Sequence, residues 1–196
     1  MDELEKLRKH WEDDNFQRKH ALAREIVVNR LRELNREYEE KTGQGFVRFI
    51  ETRMKTPESI AEKLQRKDYD VDFDTAVTAL NDISGVRCIC YSVKEIYWIA
   101  RQIGKTDTYT VVKAKDYIRK PKSYHIVLDI PMSYKGKTTV VRVELQLRTM
   151  IMDAWAGMDN RVSYKKGVPP EMERRIEKYA RIGRRLDKLI QKTLDD

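Results

Sequence analysis

The sequence predicts an α/β (α+β) fold, with a mixed, mainly antiparallel sheet of four or five strands flanked by helices. Three observations predict it. Four apolar, β-branched segments lie between residues 85 and 148, apolar residues recur at helical spacing at both ends of the chain, and helix-capping patterns precede the central helices. We expect a single domain over residues 1–196, with N-terminal helices over 1–45, a core over 46–167 and a C-terminal helix over 168–196.

The helices are predicted from apolar spacing and from their caps. Residues 1–45 are typical of two amphipathic helices. Thr56 and Pro57 suit the N-cap and the first turn of a helix, and Ser92 with Glu95 forms a capping box. Further predicted helices span residues 57–67, 74–80, 93–103 and 169–194.

The strands are predicted from short apolar runs and from one turn signal. They span residues 85–92, 109–115, 124–132 and 139–148. Lys135 and Gly136 separate the last two strands, which favours an antiparallel hairpin.

The last predicted helix carries a stripe of apolar residues, which are Met172, Ile176, Tyr179, Leu186 and Ile190. Such a stripe is typical of a helix that packs on its own sheet. It is equally typical of a helix that packs against another subunit, and we expect a homo-oligomer.

Composition limits the class of protein. Forty Lys and Arg residues against 32 Asp and Glu give a formal charge of +8, and no apolar run approaches membrane-spanning length. The N-terminus is too charged for a signal peptide, and Cys88 and Cys90 are expected as buried thiols, so we predict a cytoplasmic protein without membrane contact. The basic segment KAKDYIRKPK over 113–122 indicates an anionic ligand, with RNA as an alternative.

The strand over 140–148 alternates aliphatic residues with Arg142, Glu144, Gln146 and Arg148. A period of two places these four polar side chains on one face of the strand. The pattern is common on a solvated sheet face. It also suits the floor of a site for a polyphosphate-like ligand.

Two acids can build a metal site. Asp82 stands before one predicted strand and Glu144 lies within another, and both have Arg and Lys neighbours in the sequence. A pair of carboxylates can hold Mg²⁺ and deprotonate a hydroxyl, while the cations neutralise a polyphosphate. The sequence has no G-x-x-x-x-G-K-[ST] motif, which excludes a P-loop enzyme.

An ordered set of motifs adds to this interpretation. RMKTPESIAEKL, NDISGVRCI, VKAKDYIRKPK, SYH, VELQLRT and MDAWAGMDNRVSYK resemble, over about residues 46–166, the synthetase domain of the RelA/SpoT family, and most closely a small alarmone synthetase. The resemblance implies a nucleotidyltransferase-like fold and a homotetramer. It implies Mg²⁺-dependent transfer of pyrophosphate from ATP to the ribose 3′-hydroxyl of GDP or GTP, making (p)ppGpp in the stringent response.

The resemblance also implies roles for individual residues. Asp82 and Glu144 match the magnesium-binding acids, and Glu144 matches the acid that activates the 3′-hydroxyl. On the ATP side the matching residues are Arg53 and Arg87 against adenine, and Lys55 and Lys63 facing the phosphates. On the acceptor side they are Lys120, Lys122, Tyr124, His125, Gln146 and Asp153. Arg148 is expected as a site residue or as a structural ion-pair partner.

One segment departs from the family pattern. Relatives have Asn-Gly-Tyr-Arg-Ser-x-His where Lys122 is followed directly by Ser123. The missing Tyr stacks on guanine in the family. We expect that the complete protein has such a loop; in the alternative, Tyr117 or Tyr124 takes the place of the missing Tyr.

Two other functions stay open from the sequence. One is a toxin-like enzyme that pyrophosphorylates the tRNA 3′ end, and the other is a non-catalytic RNA-binding module.

Overall fold

The computed structural model describes residues 2–118, 123–163 and 169–195. Helices lie at both ends of this part of the chain and between the first three strands. The helices are α1 (Glu3–Trp11), α2 (Asp14–Thr42), α3 (Pro57–Arg66), α4 (Phe73–Ala79), α5 (Val93–Gln102), α6 (Met150–Ser163) and α7 (Pro170–Asp195). The strands are β1 (Val47–Met54), β2 (Ser84–Cys90), β3 (Thr110–Asp116), β4 (Tyr124–Tyr134) and β5 (Lys137–Thr149).

The five strands form one sheet in the order β1-β2-β5-β4-β3. Strands β2 and β5 pair in parallel, and the other three pairings are antiparallel. The predicted mixed, mainly antiparallel sheet flanked by helices is therefore confirmed. The predicted hairpin is also present, with Lys135 and Gly136 both at positive φ between β4 and β5.

Strand β1 was not predicted from the sequence. It is an edge strand, and most of its residues are exposed, including Arg48, Glu51 and Arg53. Because both faces carry polar residues, the alternation that identifies a half-buried strand is absent from the sequence. The caps were easier to predict. Thr56 accepts the Ser59 N–H at the start of α3, and the capping box of α5 is formed.

One face of the sheet is covered by α2 and α5. The aliphatic residues Val141, Val143, Leu145 and Leu147 of β5 point to this side and lie in the main hydrophobic core. Their polar neighbours must point to the opposite face, because successive strand residues alternate. The burial of one face thus determines which side of β5 is available for a site.

A second, smaller core lies around α1, α3, α4 and the start of α2. It includes Leu80 and Ile83, which flank the segment that enters β2. The backbone N–H of Lys55 donates to the carbonyl of Ile83 at 2.8 Å, which extends the β1–β2 pairing. Packing and pairing together therefore hold Asp82 in place at the start of β2.

Cys88 and Cys90 are buried free thiols in β2, with their sulfur atoms 4.0 Å apart, as predicted. Among the described helices, none is both long enough and apolar enough to cross a membrane.

Candidate active site

Two rows of residues cross the face of the sheet that α2 and α5 leave open. The first row runs from β1 to β3 through Arg53, Gly85, Glu144, Val127 and Lys113. The second row lies beside it and contains Glu51, Arg87, Gln146, His125 and Lys115. The strand register therefore places charged or polar side chains from all five strands in two adjacent lines.

Asp82 is held between two lysines. Its Oδ2 atom lies 3.0 Å from Lys55 Nζ and 2.6 Å from Lys63 Nζ. Burial by itself would raise the pKa of Asp82, but the hydrogen bonds and charges of the two lysines outweigh burial and lower it. The carboxylate is therefore ionised at neutral pH and sits in a positively charged setting.

Glu144 is held by two hydrogen bonds of a different kind. His125 Nδ1 lies 3.1 Å from Oε1, and Gln146 Nε2 donates to Oε2 at 2.7 Å. Burial acts to raise the pKa of Glu144 and the nearby charge of Asp82 acts in the same direction, yet His125 and Gln146 outweigh both and the pKa is lowered. Glu144 is thus an ionised carboxylate with each oxygen already fixed by one donor.

The hydrogen-bond chain continues from Gln146 to α6. Arg148 Nη2 donates to Gln146 Oε1 at 3.2 Å, and Arg148 Nη1 lies 3.0 Å from Asp153 Oδ1. Asp153 also lies 3.7 Å from Arg87, which pairs with Glu51 at 3.0 Å. Gln146 and Asp153 were predicted to contact the acceptor nucleotide. Arg148 was expected either as a site residue or as a structural ion-pair partner, and its contact with Asp153 agrees with the second role.

A cavity of about 180 Å³, the central cleft, joins the two acids. Asp82, Glu144 and His125 line it. Three further lysines that were not predicted individually as site residues also line it, namely Lys67, Lys113 and Lys115. The signal for the last two was present, since both lie in the basic segment over 113–122 and alternate along β3.

Tyr117 also lines the central cleft. Its ring stands edge-on to His125, with centroids 5.5 Å apart, and Lys115 Nζ lies 5.8 Å from its centroid. Tyr117 is therefore an aromatic residue that the structure places in the central cleft, beside His125 and Lys115.

Tyr124 was predicted at the acceptor site, but the structure does not bring its side chain there. Side chains alternate along β4, so Tyr124 points away from its neighbour His125. It packs on the main core, and its ring centroid lies 6.1 Å from that of Tyr97.

Lys120 and Lys122, which were also predicted at the acceptor site, lie outside the described residues. The full sequence joins Lys122 directly to Ser123, so the expectation of a longer, aromatic-bearing loop is wrong for this chain.

The predicted ATP-side residues are partly assembled. Lys55 and Lys63 meet at Asp82, and Arg53 and Arg87 share the open face of the sheet with Glu144. The Arg53 side chain lies over Gly85, where an added Cβ would be 3.4 Å from Arg53 Cγ. This is ordinary contact distance, so the glycine is not required by that approach.

The two carboxylates fit a divalent cation. Among the described residues, no donor lies within hydrogen-bonding distance of Asp82 Oδ1, although this atom is buried. Mg²⁺ is commonly held by one or two carboxylates together with substrate phosphates, which matches a site with Asp82 and Glu144 only. No cluster of three or more potential ligands is present in the described part of the chain.

A larger cavity of about 630 Å³ lies between α5 and α7. Its walls include Val93, Tyr97, Ile118 and Met152, and neither acid of the central cleft lines it. The candidate active site is therefore the central cleft, because the two acids line it, although the other cavity is larger.

Fold and site define an α/β protein with two ionised carboxylates set among lysines in one cleft. A family model described as the region found in RelA/SpoT proteins matches residues 52–168. Because the match covers more than half of the sequence, this chain belongs to the RelA/SpoT family.

Individual relatives extend the similarity over nearly the whole chain. GTP pyrophosphokinase YwaC of Bacillus subtilis (strain 168) is 29% identical over 194 residues, which cover 95% of this chain and 91% of that protein. The crystal structure of small alarmone synthetase 1 from Bacillus subtilis bound to its product pppGpp has a TM-score of 0.81 at 28% identity, covering 94% of this chain and 96% of that one. The same synthetase bound to AMPCPP has a TM-score of 0.74 at 27% identity, covering 92% and 96%.

Proposed function

We propose that this protein transfers the β,γ-pyrophosphate of ATP to the ribose 3′-hydroxyl of GDP or GTP, and so makes the alarmone (p)ppGpp of the stringent response. The observation that carries the proposal is the pairing of Asp82 with Glu144 among lysines in one cleft. The relatives support the substrates, because one is named a GTP pyrophosphokinase and another is solved with pppGpp and with AMPCPP.

In this proposal the donor side of the cleft is built by Asp82 and its lysines. Lys55 and Lys63 neutralise the ATP phosphates, since ammonium groups are strong donors to phosphate oxygens. Arg53 and Arg87 offer planar guanidinium groups that can stack on the adenine. Arg87 is pre-oriented by its ion pairs with Glu51 and Asp153.

Glu144 acts as the general base on the acceptor side. It takes the proton from the 3′-hydroxyl while the 3′-oxygen forms a bond to the β-phosphorus of ATP. The bond between that phosphorus and the oxygen that bridges it to the α-phosphate breaks, and AMP leaves with the electron pair. A carboxylate suits this role because it is ionised before the substrate binds.

Asp82 and Glu144 would hold the magnesium ion, and Asp82 Oδ1 is the atom with a free lone pair for it. When bound, Mg²⁺ supplies charge neutralisation on the transferred phosphates. Lys113 and Lys115 on β3 add positive charge where the acceptor diphosphate would lie, and Tyr117 supplies a ring for the acceptor base.

The function is tested by following the label from γ-³²P-ATP in the presence of GDP, GTP or tRNA, with Mg²⁺ or with EDTA. We expect label in a guanosine tetra- or pentaphosphate, in the Mg²⁺ reactions only. Asp82→Asn should abolish this product and should not be rescued by excess Mg²⁺, because the amide lacks the charge that holds the cation. Label in tRNA would instead support the toxin-like function. Undiminished transfer in EDTA would contradict the two-carboxylate site.

A further inference from the structure

Ser123 is a buried polar residue immediately before β4, with only 1% of its surface exposed. Its hydroxyl oxygen lies within hydrogen-bonding distance of His125 Nε2, and its carbonyl accepts the backbone N–H of Tyr117 at 3.2 Å. Spacing of two residues along an extended chain places Ser123 and His125 on the same side. Ser123 therefore contacts two of the residues that line the central cleft.

The hydrogen-bond partners determine which nitrogen of His125 carries the proton. An ionised carboxylate oxygen can only accept, so the 3.1 Å contact between His125 Nδ1 and Glu144 Oε1 favours a hydrogen on Nδ1. In the neutral ring Nε2 is then an acceptor, and the Ser123 hydroxyl must donate to it. The serine hydroxyl and the carboxylate therefore favour the same Nδ1–H tautomer from opposite sides of the ring.

The Ser–His–carboxylate order also occurs in hydrolases, where the serine is the nucleophile. That role does not fit here. His125 and Glu144 line the central cleft, whereas Ser123 is buried behind the histidine and is not among the residues that line it. The hydroxyl thus faces the histidine rather than a substrate.

We propose that Ser123 is a positioning residue that holds His125 in the Nδ1–H tautomer, and thereby orients the Glu144 carboxylate for proton abstraction. Glu144 then has one oxygen bonded to His125 and the other to Gln146, which leaves the remaining lone pairs directed to the cleft. The catalytic role of Ser123 rests on the proposed function, whereas the tautomer of His125 does not.

Loss of the hydroxyl should weaken the alignment of Glu144 without removing any nucleotide contact. Replacement of such supporting partners typically lowers activity by about 10–100-fold. We expect Ser123→Ala to lower kcat by about tenfold or more at nearly unchanged KM for both nucleotides. Ser123→Thr keeps a hydroxyl on the same β-carbon and should restore most of the activity.

The tautomer can be measured directly. In ¹⁵N-histidine-labelled protein at mildly alkaline pH, two-bond ¹H–¹⁵N correlations distinguish an Nδ1–H ring from an Nε2–H ring. His125→Gln assigns its signal among the three histidines. We expect the Nδ1–H pattern for His125 in the wild type and in Ser123→Thr, and a mixed or Nε2–H pattern in Ser123→Ala. Ser133→Ala changes an exposed serine of β4, so it is the matched control and should behave as the wild type in both measurements.

Two results would overturn the proposal. One is an Nε2–H tautomer of His125 in the wild-type protein, which needs no variant and no activity. The other is an equal loss of kcat in Ser123→Ala and Ser123→Thr while the tautomer stays unchanged, since this pattern describes a merely structural serine. If the protein showed the expected tautomer but made no (p)ppGpp, the proposed function would fail, whereas the hydrogen-bond assignment would stand.

Discussion

At the scale of single residues, the two acids of the central cleft are kept ionised by different means. Asp82 is balanced by the positive charges of Lys55 and Lys63, whereas Glu144 is held by hydrogen bonds from His125 and Gln146. A carboxylate among fixed cations suits a metal and polyphosphate site. A carboxylate held mainly by side-chain hydrogen bonds keeps lone pairs for a substrate hydroxyl, so the surroundings suggest a division of labour between the two acids.

The role of Glu144 is testable by Glu144→Gln. The amide keeps the shape of the side chain but cannot accept a proton, so we expect transfer to fall by roughly 10²–10⁴-fold, the usual contribution of a general base. Nucleotide binding, followed by calorimetry with GDP and a non-hydrolysable ATP analogue, should largely survive. Turnover close to that of the wild type would remove Glu144 from the mechanism.

The site residues differ in how well the sequence predicted them. Glu144 was predicted from both the motif order and the period of two in its strand, and Asp82 was predicted from the motif order and from its place before a strand. Tyr124 was misplaced, although the same period of two already puts Tyr124 and His125 on opposite faces. Lys113 and Lys115 were seen as a basic cluster, but only the register of β3 against β4 aims them at the cleft.

At the scale of elements, the two described ends of the connection between β3 and β4 are Tyr117 and Ser123, and both lie next to His125. The backbone N–H of Tyr117 donates to the carbonyl of Ser123, so the two ends of this connection are tied together. Tyr117 is thereby held with its ring beside His125.

Tyr117→Ala should therefore raise KM for the guanine nucleotide while KM for ATP stays the same. A base stacked on an aromatic ring contributes about 1–3 kcal/mol, which corresponds to an increase of roughly 5–150-fold. Tyr117→Phe keeps the ring and is the matched control. An unchanged acceptor KM in Tyr117→Ala would exclude this ring from base recognition.

The start of α2 contains a second titratable feature, which acts on stability. His20 is 4% exposed and tilts against Phe16 at 4.5 Å. Burial lowers its pKa from 6.5 to about 4, with smaller contributions from the charges of Arg24 and Lys19. The folded protein therefore keeps His20 neutral over a range in which the unfolded chain protonates it.

The sign of the pH effect follows from this difference. Between pH 6.5 and about 4 the unfolded state binds more protons, so the free energy of unfolding should fall as the pH falls, by at most about 3 kcal/mol from this residue. Urea titrations of His20→Phe should show a smaller loss over this range than the wild type. His10→Gln, which removes an exposed histidine, should keep the wild-type loss, and identical curves for His20→Phe and wild type would contradict the assignment.

At the scale of the whole molecule, α7 has two faces with different surroundings. Ala180 and Asp187 are buried on the side that packs against α5 and α6, and Ile176 and Ile190 are half-buried. A second line of apolar side chains is exposed to between 39% and 62%, namely Met172, Tyr179, Ile182, Leu186 and Leu189. The predicted single stripe is therefore divided, with one part packed on the subunit and the other available for a partner.

We propose that the exposed line packs against another copy of the chain in a homo-oligomer, with a tetramer as the expected size. Ile182→Asp should lower the mass measured by light scattering at micromolar concentration, because a buried unpaired charge opposes association. Arg181→Asp changes the adjacent residue off the exposed line and should leave the mass unchanged. A monomeric mass for the wild type would refute the proposal.

The sequence by itself determined the elements whose signals are local. Caps placed the starts of α3 and α5, alternation placed β5 and its polar face, and the order of motifs pointed to the RelA/SpoT family. The tertiary structure alone decided what depends on pairing between distant segments. Parallel pairing of β2 with β5 brings Asp82 and Glu144 into one cleft, and β1 exists as a strand because β2 offers it an edge. Local patterns record a residue's neighbours along the chain, whereas register and burial arise only when the whole sheet assembles.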